Sequence, residues 1–456
     1  MSPRSKSNLL RLAGPLIFSF WFRSAFQWVD TFYAASLGDL GDASIAAIGL
    51  TAPLEFLLIA TWVGLSSSLT SRMAAAMGAR EGAKIEQLLK STRRLVTLLR
   101  ITFLGFAVLI YLLASRLPLD PEVAQQFGIY GPVLIGGSAL TSFWSVIPDS
   151  VVKAHNDTRS TMWAGLISTL TNFVLNTVFV FVFHWGIMGI AAATVLARLG
   201  GLLYALGRAR FHEDRRLAKG EDNVPGLFEH PRRKLLALAI PASLGFGLLA
   251  LEGLVINGML AAQQNSEAAL AAWSIMDRAA RFMMMPIIAT GVALLPLAAR
   301  LWGARDIDGV SQELRVGLGA AVGYSLLVAL PVAWFGGPRL AVALTDSPHA
   351  QEVASTGLRW VFALALVGGP LFLFRSAFEG MQQARPGLVV SLLRTFGLIL
   401  PLCAAGLYLA PLWHLSPVIG LMIGAGLGAG LASLLLGLWM RRFLAQARMH
   451  NRLVLE

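Results

Sequence analysis

Apolar residues in this chain come in long blocks separated by short polar stretches. The blocks fall at about 9–37, 43–71, 92–114, 127–152, 160–184, 186–209, 233–262, 268–301, 313–336, 351–379, 385–410 and 414–440. Each is long enough to cross about 30 Å of hydrocarbon as a helix. The pattern predicts an all-α polytopic membrane protein with 12 transmembrane helices. The polar stretches alternate in charge. One set is basic: Arg4, Lys6 and Arg11; Arg80, Lys84, Lys90, Arg93 and Arg94; the stretch Arg208–Lys234; and Arg441, Arg442, Arg448 and Arg452. The other set is nearly free of Lys and Arg: Gly38–Ser44, Leu117–Gln126, His184–Met188, Ala261–Ala268 and Ala410–Ser416. Cytoplasmic loops retain positive charge. Both termini are therefore expected on the cytoplasmic side of the cell inner membrane.

The hydrophilic stretch in the middle divides the chain into six helices and six helices. The expected organisation is an N-terminal lobe over 1–209, a linker over 210–232, a C-terminal lobe over 233–440 and a basic tail over 441–456. An even number of crossings per half gives both halves one orientation. The two six-helix lobes are then related by a pseudo-two-fold axis along the membrane normal. The residues support the repeat. Pro15 recurs as Pro241, 226 positions on, and Gly78-Ala79-Arg80 recurs as Gly303-Ala304-Arg305, each followed by an acidic residue, Glu81 or Asp306. Lys153–Arg159 and Glu379–Arg385 also correspond by position.

Composition sharpens this picture. Of 456 residues, 56% are hydrophobic and 14% charged, against roughly 25% charged in soluble domains. Forty-five glycines suit closely packed helices in lipid. The net charge of +12 is gathered in one set of loops, so it reads as topology and not as a nucleic-acid footprint. The single cysteine, Cys403, excludes an intrachain disulfide. The sequence shows no short apolar core followed by a small-residue cleavage site. It has no GxxxxGK[ST] phosphate loop, no Cys/His cluster and no Gly-x-Ser-x-Gly elbow. An enzyme and a cofactor-bearing protein are therefore not expected.

An ordered set of motifs runs through both halves. Val29-Asp30-Thr31 lies late in the first block, with Pro15 before it. Gly78-Ala79-Arg80 follows the second block. Asn156-Asp157-Thr158-Arg159 precedes the fifth, and Asn172-Phe173-Val174-Leu175-Asn176 lies within it. Gly186-Ile187-Met188-Gly189-Ile190-Ala191-Ala192-Ala193-Thr194 opens the sixth. Gly303-Ala304-Arg305 and Ser391-Leu392-Leu393-Arg394 follow in the second half. In this order the chain resembles the multidrug and toxic compound extrusion (MATE) family over nearly its whole length. The resemblance implies two six-helix lobes and export by alternating access, driven by inward flow of protons or sodium ions. The expected substrates are small organic cations or amphiphiles, handled by a monomer in contact with membrane lipid. A flippase for a lipid-linked oligosaccharide precursor, from the same superfamily, is the alternative. One position departs from the family pattern. The fifth helix usually reads Asn-x-x-Leu-Asp, and here Asn176 stands in the aspartate's place, so one expected carboxylate is missing.

Ionisable residues in hydrocarbon are costly and mark candidate sites. Asp30, about 22 Å along a helix from Pro15, is the first candidate for ion coupling. The cost of holding its charge fits it to take up and release a proton. With Asn172, Asn176 and Thr194, which the resemblance brings near, it holds sodium in the other reading. Proton coupling is the expectation. Arg23, two turns before Asp30 on the same face, opposes that proton, pairs with another carboxylate, or lines a wet cavity. Glu252 in the seventh block matches a carboxylate of the family's sodium-coupled branch. Its partner aspartate is absent, because Trp360–Phe374 holds no carboxylate. Glu252 either binds a cationic substrate or a proton, or pairs with Arg278 or Arg281, although Asp277 and Arg281 are spaced for a pair of their own. Glu252, Glu55, Arg23, Arg278, Arg281 and Met284 are together the candidates for a substrate or second ion site. Glu55 either lines a cavity or sits at its outer mouth. Asp149, Arg375 and Arg394 read as structural. Met283, Met284 and Met285 offer adaptable surface, with Met284 assigned to the substrate region. Trp21, Trp28, Trp62, Trp144 and Trp163 include interfacial belt residues.

Overall fold

A computed structural model of the chain describes residues 8–25, 29–220, 224–263, 266–345 and 347–455. Twelve helical spans follow the twelve apolar blocks. They are α1 (Leu9–Ala25, resuming over Val29–Ala35), α2 (Gly41–Gly78), α3 (Gly82–Leu113), α4 (Pro121–Ala154), α5 (Thr158–Thr177, continuing to Val182), α6 (Gly186–Lys219) and α7 (Pro231–Ala261). Then come α8 (Ser266–Gly303), α9 (Ile307–Leu344), α10 (Pro348–Gly380), α11 (Ala384–Leu409) and α12 (Pro417–Leu455). Ten of them meet both the length and the hydropathy needed to cross a membrane. The other two are α1, whose residues 26–28 lie outside the description, and α4. The α4 helix is 34 residues long, but its Gly, Ser, Gln and Pro residues dilute its hydropathy. Its apolar face is spent inside the protein, where Phe127, Tyr130, Leu134, Ile135, Phe143 and Val146 form a buried stripe at helical spacing. Gln27, Trp28, Arg4 and Lys6 lie outside the described residues.

The chain packs into two compact units. One is Phe18–Ser243, and the other is Leu244–Glu456 together with the chain start through Ile17. These limits do not fall at the linker. Each half lends its first turns to the opposite unit, and the chain changes unit just after Pro15 and just after Pro241. The bonds explain the exchange. Glu313 on α9 accepts from the backbone N–H groups of Asn8 (3.2 Å) and Leu9 (3.3 Å), tying the start of α1 to the C-terminal unit. These are orphan donors of a helix start, and a carboxylate is a favourable partner for them. In the N-terminal unit, Ser68 donates to the carbonyl of Leu235 (2.7 Å) and Arg72 to that of Lys234 (2.9 Å). Gly64 leaves room there for Ser243 and Ala239. The linker is itself partly helical, since α6 runs to Lys219 and closes on Gly220 with φ +60°. The basic tail likewise continues α12.

The repeat reaches the backbone. Arg80 and Arg305 each have φ 59°, and Asn156 and Gln382 have φ 58° and 67°. At each of these four helix ends the next N–H reaches back five residues. Glu81 donates to Ala76 (2.9 Å), Asp306 to Leu301 (2.9 Å), Asp157 to Val152 (3.1 Å) and Gln383 to Phe378 (2.8 Å). This is the Schellman closure, normally built on glycine. Holding a non-glycine residue there costs about 1–3 kcal/mol, offset by carbonyls that would otherwise go unpaired. Asp157 and Asp306 then cap the next helices, through Ser160 N–H (3.0 Å) and Gly309 N–H (2.8 Å).

Helices α11 and α12 touch through glycine. A methyl group on Gly420 would overlap the carbonyl of Gly406, and one on Gly424 would overlap that of Leu402. Gly420→Ala is therefore expected to destabilise the protein by roughly 1–3 kcal/mol. Gly105→Ala, with nothing within 4 Å of the added carbon, should be silent. Thermal unfolding in detergent compares the two, and equal midpoints would remove this contact from the packing.

Candidate functional site

In the N-terminal unit, α1, α5 and α6 converge on Asp30. Thr194 donates its hydroxyl to Asp30 Oδ2 (2.9 Å), and Asn176 donates Nδ2 to Oδ1 (3.0 Å). Asn172 donates Nδ2 to Oδ1 (3.4 Å) and to Thr194 Oγ1 (3.0 Å). Asn172 and Asn176 are one turn apart on α5, so both amides face the same carboxylate. Asn176 is fully buried, and its Oδ1 has no hydrogen-bond partner among the described residues. Tyr33 covers the group from the next turn, bonding Thr177 Oγ1 (2.6 Å) and packing on Phe173 and Phe181. The four residues singled out from the sequence therefore meet in one place. All three donors to Asp30 are neutral.

Two other carboxylates within the helices of this unit are matched by cations. Glu55 pairs with Arg198, which also bonds Ser138. Asp149 pairs with Lys153 (2.7 Å) and accepts from Ser66 (2.7 Å). Lys153 in turn lies over the Trp62 ring, 5.4 Å from its centroid. Glu55 thus belongs to an ion pair, and its partner Arg198 was not among the sequence candidates. An arginine in the middle of the apolar sixth block was the available signal. Arg23 is exposed and lies near Arg198 and Asp149.

In the C-terminal unit Glu252 pairs with Arg394 and accepts from Thr395 Oγ1 (3.3 Å). Neither Arg278 nor Arg281, the partners expected from the sequence, takes that place. Arg281 bonds Asp277 (2.7 Å), one turn away, and its side chain is 65% exposed. Arg278 is exposed on the same helix. The cause lies in α11, where Leu393–Ile399 widens into π turns. Such turns shift the register of side chains and recur at functional sites. Here the shifted segment holds both Arg394 and Thr395. Arg394 is buried, with its Nε unbonded. Arg375 pairs with Glu379 (2.9 Å) and lies over Phe246, with Gly245 giving it room. Of the three methionines, Met283 is buried, while Met284 and Met285 are half-buried.

A second polar group sits outside the spans. Asp157 accepts from His212 (2.8 Å) and Arg208 (3.0 Å), Glu213 bonds His155 (3.1 Å) and Arg216 (2.8 Å), and the two imidazoles stack at 5.0 Å. This knot fastens the loop before α5 to the end of α6. Burial opposes ionisation of Asp157, but hydrogen bonds from Ser160, His212 and Arg208 outweigh it. They hold the carboxyl well below the usual carboxylate range.

Twelve helices in two units, with balanced charges inside both and a dipole-held carboxylate in one, describe a membrane transporter. The MatE family model matches residues 15–178 and 241–405, and the chain belongs to the MATE family. Among relatives, the multidrug resistance protein NorM of Burkholderia vietnamiensis is 27% identical, over 86% of this chain and 85% of its own. The FAD transporter of Shewanella oneidensis is 24% identical, over 88% of each chain. The fold matches that of the Vibrio cholerae MATE transporter VcmN with TM-score 0.81 and 24% identity, covering 96% of this chain and 97% of that one. It also matches a MOP superfamily transporter from Pyrococcus furiosus, described as having a binding pocket of reverse polarity, with TM-score 0.80 and 19% identity over 96% of each chain.

Two outcomes are expected. Arg394→Gln strands a buried carboxylate and should lower stability by about 3–5 kcal/mol. Adding Glu252→Gln should recover most of that loss. Thermal unfolding of the two singles and the double measures the coupling, and additive losses would mean that the pair does not interact. Asp157 has a lowered folded pKa, so its contribution is present above the unfolded value of about 3.9. It is lost as pH falls toward the folded value. Wild-type stability should therefore drop relative to Asp157→Asn below about pH 4, read from melting temperatures across pH.

Proposed function

We propose that the chain is an ion-coupled exporter of cationic or amphiphilic small molecules that works by alternating access, with the Asp30 cage carrying the coupling ion. One observation supports this most. Asp30 is the carboxylate of this unit that neutral dipoles compensate, whereas Glu55 and Asp149 have permanent cations. A permanent pair has no need of a travelling ion. A dipole-held carboxylate admits a proton or a sodium ion reversibly. Asn176 adds a buried carbonyl oxygen with no partner, an acceptor suited to a protonated Asp30 or a ligand suited to sodium. We favour the proton. Two amide nitrogens face the carboxylate, and sodium would require both amides to turn over. With an amide in place of the second carboxylate, the cage holds one monovalent charge per cycle.

The fold of two repeats suits alternating access, and the named relatives are transporters and drug-resistance proteins. The same reading places the chain in the cell inner membrane with both termini inside, acting as a monomer without a cofactor. Glu252 contributes less to coupling on this reading, because Arg394 already neutralises it.

The test is dye efflux in everted vesicles under a pH gradient or a sodium gradient. Asp30→Asn is expected to reduce gradient-driven efflux at least tenfold with unchanged protein level. Glu252→Gln should retain most of it, and the proton gradient should drive the wild type. Full efflux by Asp30→Asn would take Asp30 out of the mechanism.

A further inference from the structure

Arg23 is the cation in the N-terminal unit whose role the proposed cycle leaves open. It lies on α1, the first helical span, and its side chain is exposed. The aliphatic stem lies against Gly165 of α5, where the missing side chain leaves room for it, and its charge is felt together with those of Arg198 on α6 and Asp149 on α4. Ser19, one turn earlier, brings a hydroxyl to the same glycine. The carboxylates that would ordinarily neutralise an arginine here are already engaged. Glu55 is held by Arg198, and Asp149 by Lys153 and Ser66. Arg23 makes no hydrogen bond and no ion pair with the described residues. Arg198 beside it adds positive potential.

A guanidinium left open inside a membrane protein is costly unless something charged visits it. Its planar fork of donors matches a carboxylate or a phosphate, which it grips with two parallel bonds. We infer that Arg23 is a substrate-binding residue that receives an anionic group, so that the transported molecules include amphiphiles or zwitterions bearing a carboxylate or phosphate. This rests on the export reading given above and narrows its substrate class. An apolar body suits the hydrocarbon-facing path, and the negative group supplies the charge that Glu55 and Asp149 do not.

Equilibrium binding tests it directly on the purified full-length protein in detergent, without any ion gradient. The probes are 11-(dansylamino)undecanoic acid and its methyl ester, which differ in one charge. The wild type is expected to bind the acid about tenfold or more tightly than the ester, read from dansyl fluorescence. Arg23→Gln should remove that preference while leaving the ester's affinity unchanged, and Arg23→Lys should retain part of it. Loss of ester binding in Arg23→Gln would signal misfolding, and the Arg23→Lys comparison then decides. If that variant keeps only part of the preference or none of it, the inference stands; if it keeps the full wild-type ratio, the guanidinium is not the determinant and the inference falls. A wild type without preference, or a preference that survives Arg23→Gln, also overturns it. Gradient-driven efflux of the same two probes separates this from the export reading. Absence of flux for both, with the binding preference intact, defeats the transport cycle and leaves the anion site standing.

Discussion

A charge in hydrocarbon persists only if the protein replaces the water it has lost. Removing an ion from water carries a penalty of several kcal/mol even after relaxation. The charged interior of this protein is arranged around that cost, and it uses two remedies. Glu55, Glu252, Asp277 and Glu379 are each set against an arginine, and Asp149 against a lysine. Asp30 instead receives three hydrogen bonds from neutral donors. A bond to a charged group is worth about 1.5–3 kcal/mol, so three of them offset part of that penalty. The two remedies differ in consequence. An ion pair already has its counter-charge. A dipole cage leaves the carboxylate without one, so the gain from an arriving cation remains available.

The two halves share their backbone and divide their chemistry. Proline positions, left-handed residues at helix ends and the points where the chain changes unit all recur at nearly one spacing. These features set helix starts, stops and directions, which both halves need alike. The charges do not follow. The position 226 residues after Asp30 is Ile256, which is buried and apolar. The π turns of α11 place Arg394 and Thr395 on Glu252, whereas α5 keeps regular turns through Asn172 and Asn176 and widens only from Val178. The difference in winding goes with a difference in residues, since Ser168 stands 226 positions before Arg394, and together they leave a fixed pair in one half and a cage in the other.

What could be read in advance follows from the range of each interaction. The helices, their number and their direction come from local blocks of apolar residues and from the charges between them. The gathering of Asp30, Asn172, Asn176 and Thr194 came from a family resemblance, since no spacing joins residues more than 140 positions apart. Arg198 and Arg394 escaped as partners for the same reason. Each lies far in sequence from the carboxylate it neutralises, and a nearer arginine, Arg278 or Arg281, looked equally able. The π turns in α11 leave no mark in the hydrophobic pattern. The exchange of first turns between units depends on Glu313 and on a glycine contact at Gly64, neither of which the linker's composition announces.

The substitution at Asn176 carries the argument one step further. With an aspartate there, two carboxylates would share one cage, and the second charge would need an ion of its own or a shared proton. The amide removes that requirement and supplies a donor to Asp30 at 3.0 Å. It also leaves a buried oxygen unpaired, and an orphaned acceptor costs about 1–3 kcal/mol. On the proposed cycle a proton or ion at Asp30 reaches that oxygen only if the Asn176 amide turns over and gives up its Nδ2 bond. Filling the cage therefore exchanges one partner of the amide for another, and the net gain is the neutralised charge. The asymmetry between empty and filled states then resides in a single residue pair, and the ion-paired charges elsewhere contribute nothing to it.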